Sequence, residues 1–236
     1  MLHPNLRKLA GKIQDKNLQR KTIELLENPS FKINGKKHTG LSLNISPAGR
    51  SHHHCYPGGF IEHVLSTANI ALAICDSVEN IYIGKVNRDL VLAGTLLHDI
   101  CKPATYLITE NGNYDSTRLA DYLDHLSLAT SELSRRDFPV ELIHIVAAHH
   151  GNYGPIRPRT VEALIVHLAD LADSRLNGDV LDAATYLARK AIGQELRGLN
   201  SKEAFAIVHS KATEDWEGVA KTVKKIKQRR NTHKTK

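Results

Sequence analysis

The chain has 236 residues, 41% hydrophobic and only 5% aromatic, with a formal charge of +7, a size that suits one domain or one with a small appendage. No window approaches the roughly 18 uninterrupted apolar residues of a membrane span, Met1–Asn5 lacks a signal-peptide layout, and Cys55, Cys75 and Cys101 show no CxxC spacing, so a cytoplasmic protein without disulfides is expected. From Lys211 onward nine Lys and Arg face three acids, which leaves residues 1–210 at only +1; the basicity belongs to a tail and does not mark a nucleic-acid surface.

Residues 5–27 read as one amphipathic helix, with Leu6, Leu9, Ala10, Ile13, Ile23, Leu25 and Leu26 at helical spacing and Asn28-Pro29 closing it. From Phe31 to Ser46 the pattern loosens around an Asn34-Gly35 turn signal, giving a loop or a small hairpin. The Pro47–Gly59 loop carries His52, His53 and His54 and delivers the chain to a helix over 60–75. Ile61, Leu65, Ala68 and Leu72 form that helix's apolar stripe, and His63 lies off it. Residues 89–97 are almost wholly apolar and predict a central helix ending in Leu97-His98-Asp99-Ile100-Cys101-Lys102-Pro103.

Asn111-Gly112 between β-favouring residues predicts a hairpin over 106–114. A helix over 119–133 carries His125. Pro139 opens the next, which runs to His149-His150 and stops at Gly151. Arg157 and Arg159 sit among prolines in a stiffened loop, and Thr160 caps a helix to about Arg175 that bears His167, Asp170 and Asp173. Two or three further helices finish the chain. The expected fold is all-α, a helical bundle with a small β-hairpin insertion. It divides into one domain over 1–210, including the N-terminal helix, and a basic helix or tail over 211–236.

His98-Asp99 sets a nitrogen ligand beside a carboxylate whose two oxygens can touch two cations, a donor set suited to Mn, Fe, Co, Ni or Zn. Alone, the pair reads equally well as a capped helix end. His63, His125, His149-His150 and Asp170, each on a helix of its own, supply company for it. There is no Gly-rich phosphate loop, GxSxG elbow or HExxH pair. The order His63, His98-Asp99, His125, His149, Asp170 resembles the HD superfamily of metal-dependent phosphohydrolases.

That resemblance implies an HD-domain bundle and a hydrolase of phosphoric esters holding two divalent transition metals, Fe(II) or Mn(II). His63, His98, Asp99 and Asp170 would hold one, and Asp99, His125 and His149 the other. Asp173, on the same helix face, rivals Asp170, and the family pattern selects Asp170. Lys102 can reach phosphoryl oxygens as a point charge and Arg157 as a fork. His150 is the candidate to protonate the leaving oxygen, and His53 and His54 to meet substrate. Gly59, four residues before His63, stands where trinuclear members carry a glutamate, which favours two metals.

Gly58-Gly59-Phe60-Ile61-Glu62-His63, Ala148-His149-His150-Gly151 and Arg157-Pro158-Arg159-Thr160 are similar to two branches of the superfamily. One is the HD domain of bacterial 3′→5′ exoribonucleases. The other, closer over residues 40–200, is the archaeal 7,8-dihydroneopterin 2′,3′-cyclic phosphate phosphodiesterases of methanopterin synthesis. The second implies a small anionic substrate, with its flat base expected among Tyr56, Tyr106, Tyr114 and the His52–His54 loop. An exoribonuclease or nucleotide phosphohydrolase is the alternative, and a non-catalytic nucleotide-binding module comes third. Nucleic acid is the less favoured partner, no membrane partner is expected, and the sequence carries no signal for oligomeric state.

Overall fold

The computed structural model describes residues 2–234. Where periodicity predicts one N-terminal helix there are two, α1 (Pro4–Ala10) and α2 (Lys16–Glu27). The break has a local cause. The Asp15 carboxylate caps α2 by accepting from the amides of Asn17 and Leu18, while the amides of Gln14 and Asp15 donate to Asp89. The loosely patterned stretch that follows is a hairpin of β1 (Ser30–Ile33) and β2 (Lys36–Thr39). Asn34 and Gly35 take φ of 49° and 75°, as a two-residue hairpin turn favours.

Next come α3 (Gly59–Asn80), which runs on past the expected 75, and α4 (Arg88–Leu97), buried without interruption from Val91 to Leu97. A short α5 (Lys102–Thr105) leads into a second hairpin, β3 (Tyr106–Ile108) with β4 (Tyr114–Ser116). The hairpin expected over 106–114 is present, and of the two readings of the stretch after Phe31 the hairpin holds. Helix α6 (His125–Arg135) starts later than the pattern predicts because Asp124 caps it through the Ser127 amide, which puts His125 on the first turn. Helix α7 (Val140–Ala148) follows Pro139, and α8 (Val161–Ile192) continues well beyond Arg175. One last helix, α9 (Ser201–Lys234), is broken at Asp215 by non-helical backbone (φ 57°, ψ −149°).

The apolar α4 is the central rod, packed against α2, α3, α7 and α8. Position 211 falls inside α9. Ala204 and Ile207 before it, and Val219, Val223 and Ile226 after it, share one buried cluster with Leu181, Ala184 and Ala188 of α8. Residues 235 and 236 of the basic segment lie outside the described residues. No described helix is long and apolar enough to cross a membrane.

Candidate metal centre

The start of α3, the ends of α4 and α7, the first turn of α6 and the middle of α8 bring their polar side chains to one place. His63 Nε2 lies 3.0 Å from His98 Nε2, 3.4 Å from Asp99 Oδ2 and 3.2 Å from Asp170 Oδ1. His98 Nε2 is 3.4 Å from the same Asp99 oxygen and 3.7 Å from Asp170 Oδ1. The other oxygen of Asp99, Oδ1, faces His125 Nε2 at 3.4 Å and His149 Nε2 at 3.5 Å. These separations are those of neighbouring ligands each about 2.1 Å from a shared cation.

Three of the imidazoles are aimed by their second nitrogen. His98 Nδ1 lies 2.8 Å from the Thr95 carbonyl and His149 Nδ1 2.7 Å from that of Val146, in both cases three residues back at a helix end, where carbonyls lack intrahelical partners. A carbonyl only accepts, so Nδ1 carries the proton and the Nε2 lone pair faces the cluster. His63 Nδ1 lies 2.7 Å from Asp173 Oδ2. Asp173 thus stands behind His63 and orients it, while Asp170 presents its oxygen to the cluster.

His63, His98, Asp99 and His149 are buried. Asp99 Oδ1 and Nε2 of His125 and of His149 find no hydrogen-bond partner among the described residues, while Asp99 Oδ2 meets the Lys102 ammonium at 2.6 Å. A buried unsatisfied polar atom costs about 1–3 kcal/mol. Three of them aimed at one another fit a site built for divalent cations, and the nitrogen and oxygen donor sets on the two sides of Asp99 fit such ions chemically.

Burial would raise the Asp99 pKa, but Lys102 and the surrounding imidazoles hold it well below the carboxylate range. Burial likewise opposes charge on His63, and Asp170, Asp173 and Asp99 outweigh it, so that its pKa is raised. Burial first, with Lys102 and neighbouring imidazoles and against the pull of Asp99, lowers His125 to about 3 and His150 to about 4; both rings are neutral at pH 7, as His125 must be to act as a ligand.

The remaining sequence candidates divide. His150 sits against the second ligand set, its ring centroid 4.2 Å from that of His149 and 5.0 Å from that of His125. His53 lines a cleft of about 500 Å³ beside the cluster, whereas His54 is buried behind it, Nδ1 3.6 Å from Asp173 Oδ2. Arg157 lies exposed on the loop before α8, is not among the residues lining the cleft, and has no ion pair among the described residues. The three tyrosines expected to hold a base do other work. Tyr56 is buried and donates to Glu62, Tyr114 donates to the Ile45 carbonyl at 3.0 Å and Tyr106 to that of Ala48 at 3.4 Å.

Gly59 leaves no room for a glutamate ligand, since a Cβ there would fall 2.2 Å from the His54 carbonyl oxygen. Sequence reasoning passed over Tyr153 and His167, both of which line the cleft. Tyr153 stands three residues after His150, and that adjacency was the available signal; His167 had none beyond its helix.

A family model described as "HD domain" matches residues 60–174. The dihydroneopterin 2′,3′-cyclic phosphate phosphodiesterase of Methanocaldococcus jannaschii is 49% identical over 170 residues, which cover 72% of this chain and 68% of that protein. The 3′-5′ exoribonuclease YhaM of Bacillus subtilis is 31% identical over 159 residues, 60% of this chain and 46% of that one. Its counterpart in Listeria welshimeri is 34% identical over 141 residues, 56% and 43%. No solved structure matches the chain significantly.

Proposed function

The chain belongs to the HD-domain family, and from that premise we propose that it is a metal-dependent phosphodiesterase opening a small 2′,3′-cyclic phosphate, with dihydroneopterin 2′,3′-cyclic phosphate as the first candidate. The observation that carries this reading is Asp99, one buried carboxylate that turns each of its oxygens to a separate set of imidazoles. His63, His98, Asp99 and Asp170 would hold one divalent cation, and Asp99, His125 and His149 a second with His150 at its edge; Fe(II) or Mn(II) suits these donors. Bound cations supply an acidified water and neutralise charge on the phosphoryl group.

The reaction adds water at phosphorus, breaks one ring P–O bond and leaves a monoester. Lys102 is buried; desolvation works against its charge, but Asp99 raises its pKa, so the ammonium stays charged and its remaining donors can meet a phosphoryl oxygen. His150, neutral at pH 7, has one N–H to offer the departing ring oxygen. Residues of the cleft wall include no Lys or Arg. An exonuclease needs cations that track successive phosphates; a wall without them suits a substrate with one anionic group. A cytoplasmic setting agrees with three free cysteines.

The test is a parallel assay of the purified chain with Fe(II) or Mn(II) on dihydroneopterin 2′,3′-cyclic phosphate, 2′,3′-cyclic nucleotides and a short single-stranded RNA. The expected result is ring opening of the pterin substrate at the highest kcat/KM. Stepwise shortening of RNA with no turnover of cyclic phosphates would replace this reading with the exoribonuclease one.

A further inference from the structure

The cleft has a wall that the metal chemistry leaves unused. His167 lies on α8 one turn before Asp170, half-buried, and lines the cleft. Its Nδ1 is 2.7 Å from the carbonyl oxygen of His149. Because a carbonyl only accepts, that nitrogen carries the ring proton, and Nε2 is left an acceptor with no partner among the described residues. The ring packs over Gly151, which has φ 57° and where a Cβ would fall 2.3 Å from the imidazole, so only a glycine there leaves room for it, and the bond to the His149 carbonyl sets its direction. A fixed acceptor of this kind reads an N–H on whatever enters.

Two apolar surfaces flank it. Tyr153, on the single turn after His150, lines the same cleft and is 91% exposed. Leu171, 42% exposed, follows Asp170 on α8 and also faces the cleft. An aromatic face, an apolar side chain and one oriented acceptor, without a cation among them, match a flat uncharged heterocycle carrying a ring N–H.

We propose that His167, Tyr153 and Leu171 form the subsite for the substrate's base, a bicyclic heterocycle such as a dihydropterin, with His167 Nε2 accepting from its N–H and Tyr153 and Leu171 covering its faces. The inference rests on the phosphodiesterase reading for the phosphate end only. It makes His167 and Tyr153 specificity residues, and it places the base against α8 and the His150–Tyr153 turn, rather than among Tyr56, Tyr106 and Tyr114.

The deciding experiment measures binding of neopterin, a fluorescent pterin without phosphate, to the full chain by fluorescence quenching, next to hydrolysis of bis(p-nitrophenyl) phosphate, which has no N–H, and to metal content by elemental analysis, which reports the metal centre alone. Tyr153→Ala and His167→Phe should each weaken neopterin binding about tenfold, the size of one lost contact, and Tyr153→Phe should restore it. Metal content should equal that of the parent in the Tyr153 variants. Unchanged neopterin binding in both Tyr153→Ala and His167→Phe, or no binding by the parent chain, overturns the subsite. Loss of bis(p-nitrophenyl) phosphate hydrolysis in His167→Phe with neopterin binding intact would make His167 a positioning residue for His149 and overturn its place here. A parent chain that binds neopterin but hydrolyses no phosphodiester would sink the phosphodiesterase reading and leave the subsite standing.

Discussion

His63 Nδ1 and Asp173 Oδ2 lie 2.7 Å apart in the buried interior, and through that contact the opposite nitrogen of the ring is turned to Asp99 and Asp170. Two aspartates on one helix, three residues apart, therefore have different jobs. Asp173→Asn should lower metal affinity about 10–100-fold, the usual effect of losing a group that orients a ligand. Asp170→Asn removes a candidate ligand and should abolish occupancy of one site. Metal content after dialysis, measured by elemental analysis, separates the two. Equal losses would mean that both carboxylates bind the ion.

Glu132 on α6 is 3% exposed and accepts from Arg136 at 2.6 Å, from Arg135 at 2.8 Å and from the Lys32 amide of β1 at 3.2 Å. Burial alone would raise its pKa; the two arginines outweigh that and hold it below the ordinary carboxylate value. A depressed folded-state pKa contributes stability above the unfolded pKa that is lost as pH falls through the folded one. Glu132→Gln should then cost about 1.5–3 kcal/mol at pH 7. The gap to the parent chain should close as acid is added, as urea unfolding at several pH values would record. A gap that does not narrow as the pH falls below the ordinary carboxylate range contradicts this account.

Gly59→Glu should not create a third metal ligand. A Cβ at this position meets the His54 carbonyl, so the substitution overpacks the loop and costs about 1–3 kcal/mol. Thermal unfolding should show the lower Tm and elemental analysis no additional metal. A gain of bound metal with unchanged Tm would show that the loop can yield.

Lys224, Lys225 and Arg229 are exposed on α9 without ion pairs among the described residues, while Val223 and Ile226 beside them are buried. Changing the three cations to Gln should leave cyclic-phosphate turnover within about twofold, since exposed charges away from the site contribute little. Truncation after residue 220 removes two core side chains, at a cost of order 2–5 kcal/mol for each well-buried one, and should lower Tm sharply. RNA cleavage lost with the three cations alone would assign α9 to nucleic acid.

The candidate ligands were legible because each sits at a punctuated place in the chain. His98-Asp99 ends an apolar helix before Pro103, His149 ends another before Gly151, and Asp170 lies on a helix that Thr160 caps. Both hairpin turns carried their Asn-Gly signals. The break between α1 and α2 was hidden because the amides of Gln14 and Asp15 find their acceptor in Asp89, 75 and 74 residues away. The late start of α6 was written in Asp124, a cap that an apolar count overrides.

By itself, then, the sequence determined which residue types occur at which helix ends, and with them the donor set and its family. Tertiary packing decided which atom of each residue faces which neighbour: Asp170 inward and Asp173 behind His63, Tyr56 into the core and Tyr153 into the cleft, Arg157 out to solvent. The reason is physical. Helical spacing fixes directions only within a few turns, whereas His54 is held by its amide on Asn177, 123 residues away, and His63 by Asp173, 110 residues away. Contacts at that separation depend on how α3 and α8 cross, and no local window of the chain contains both helices.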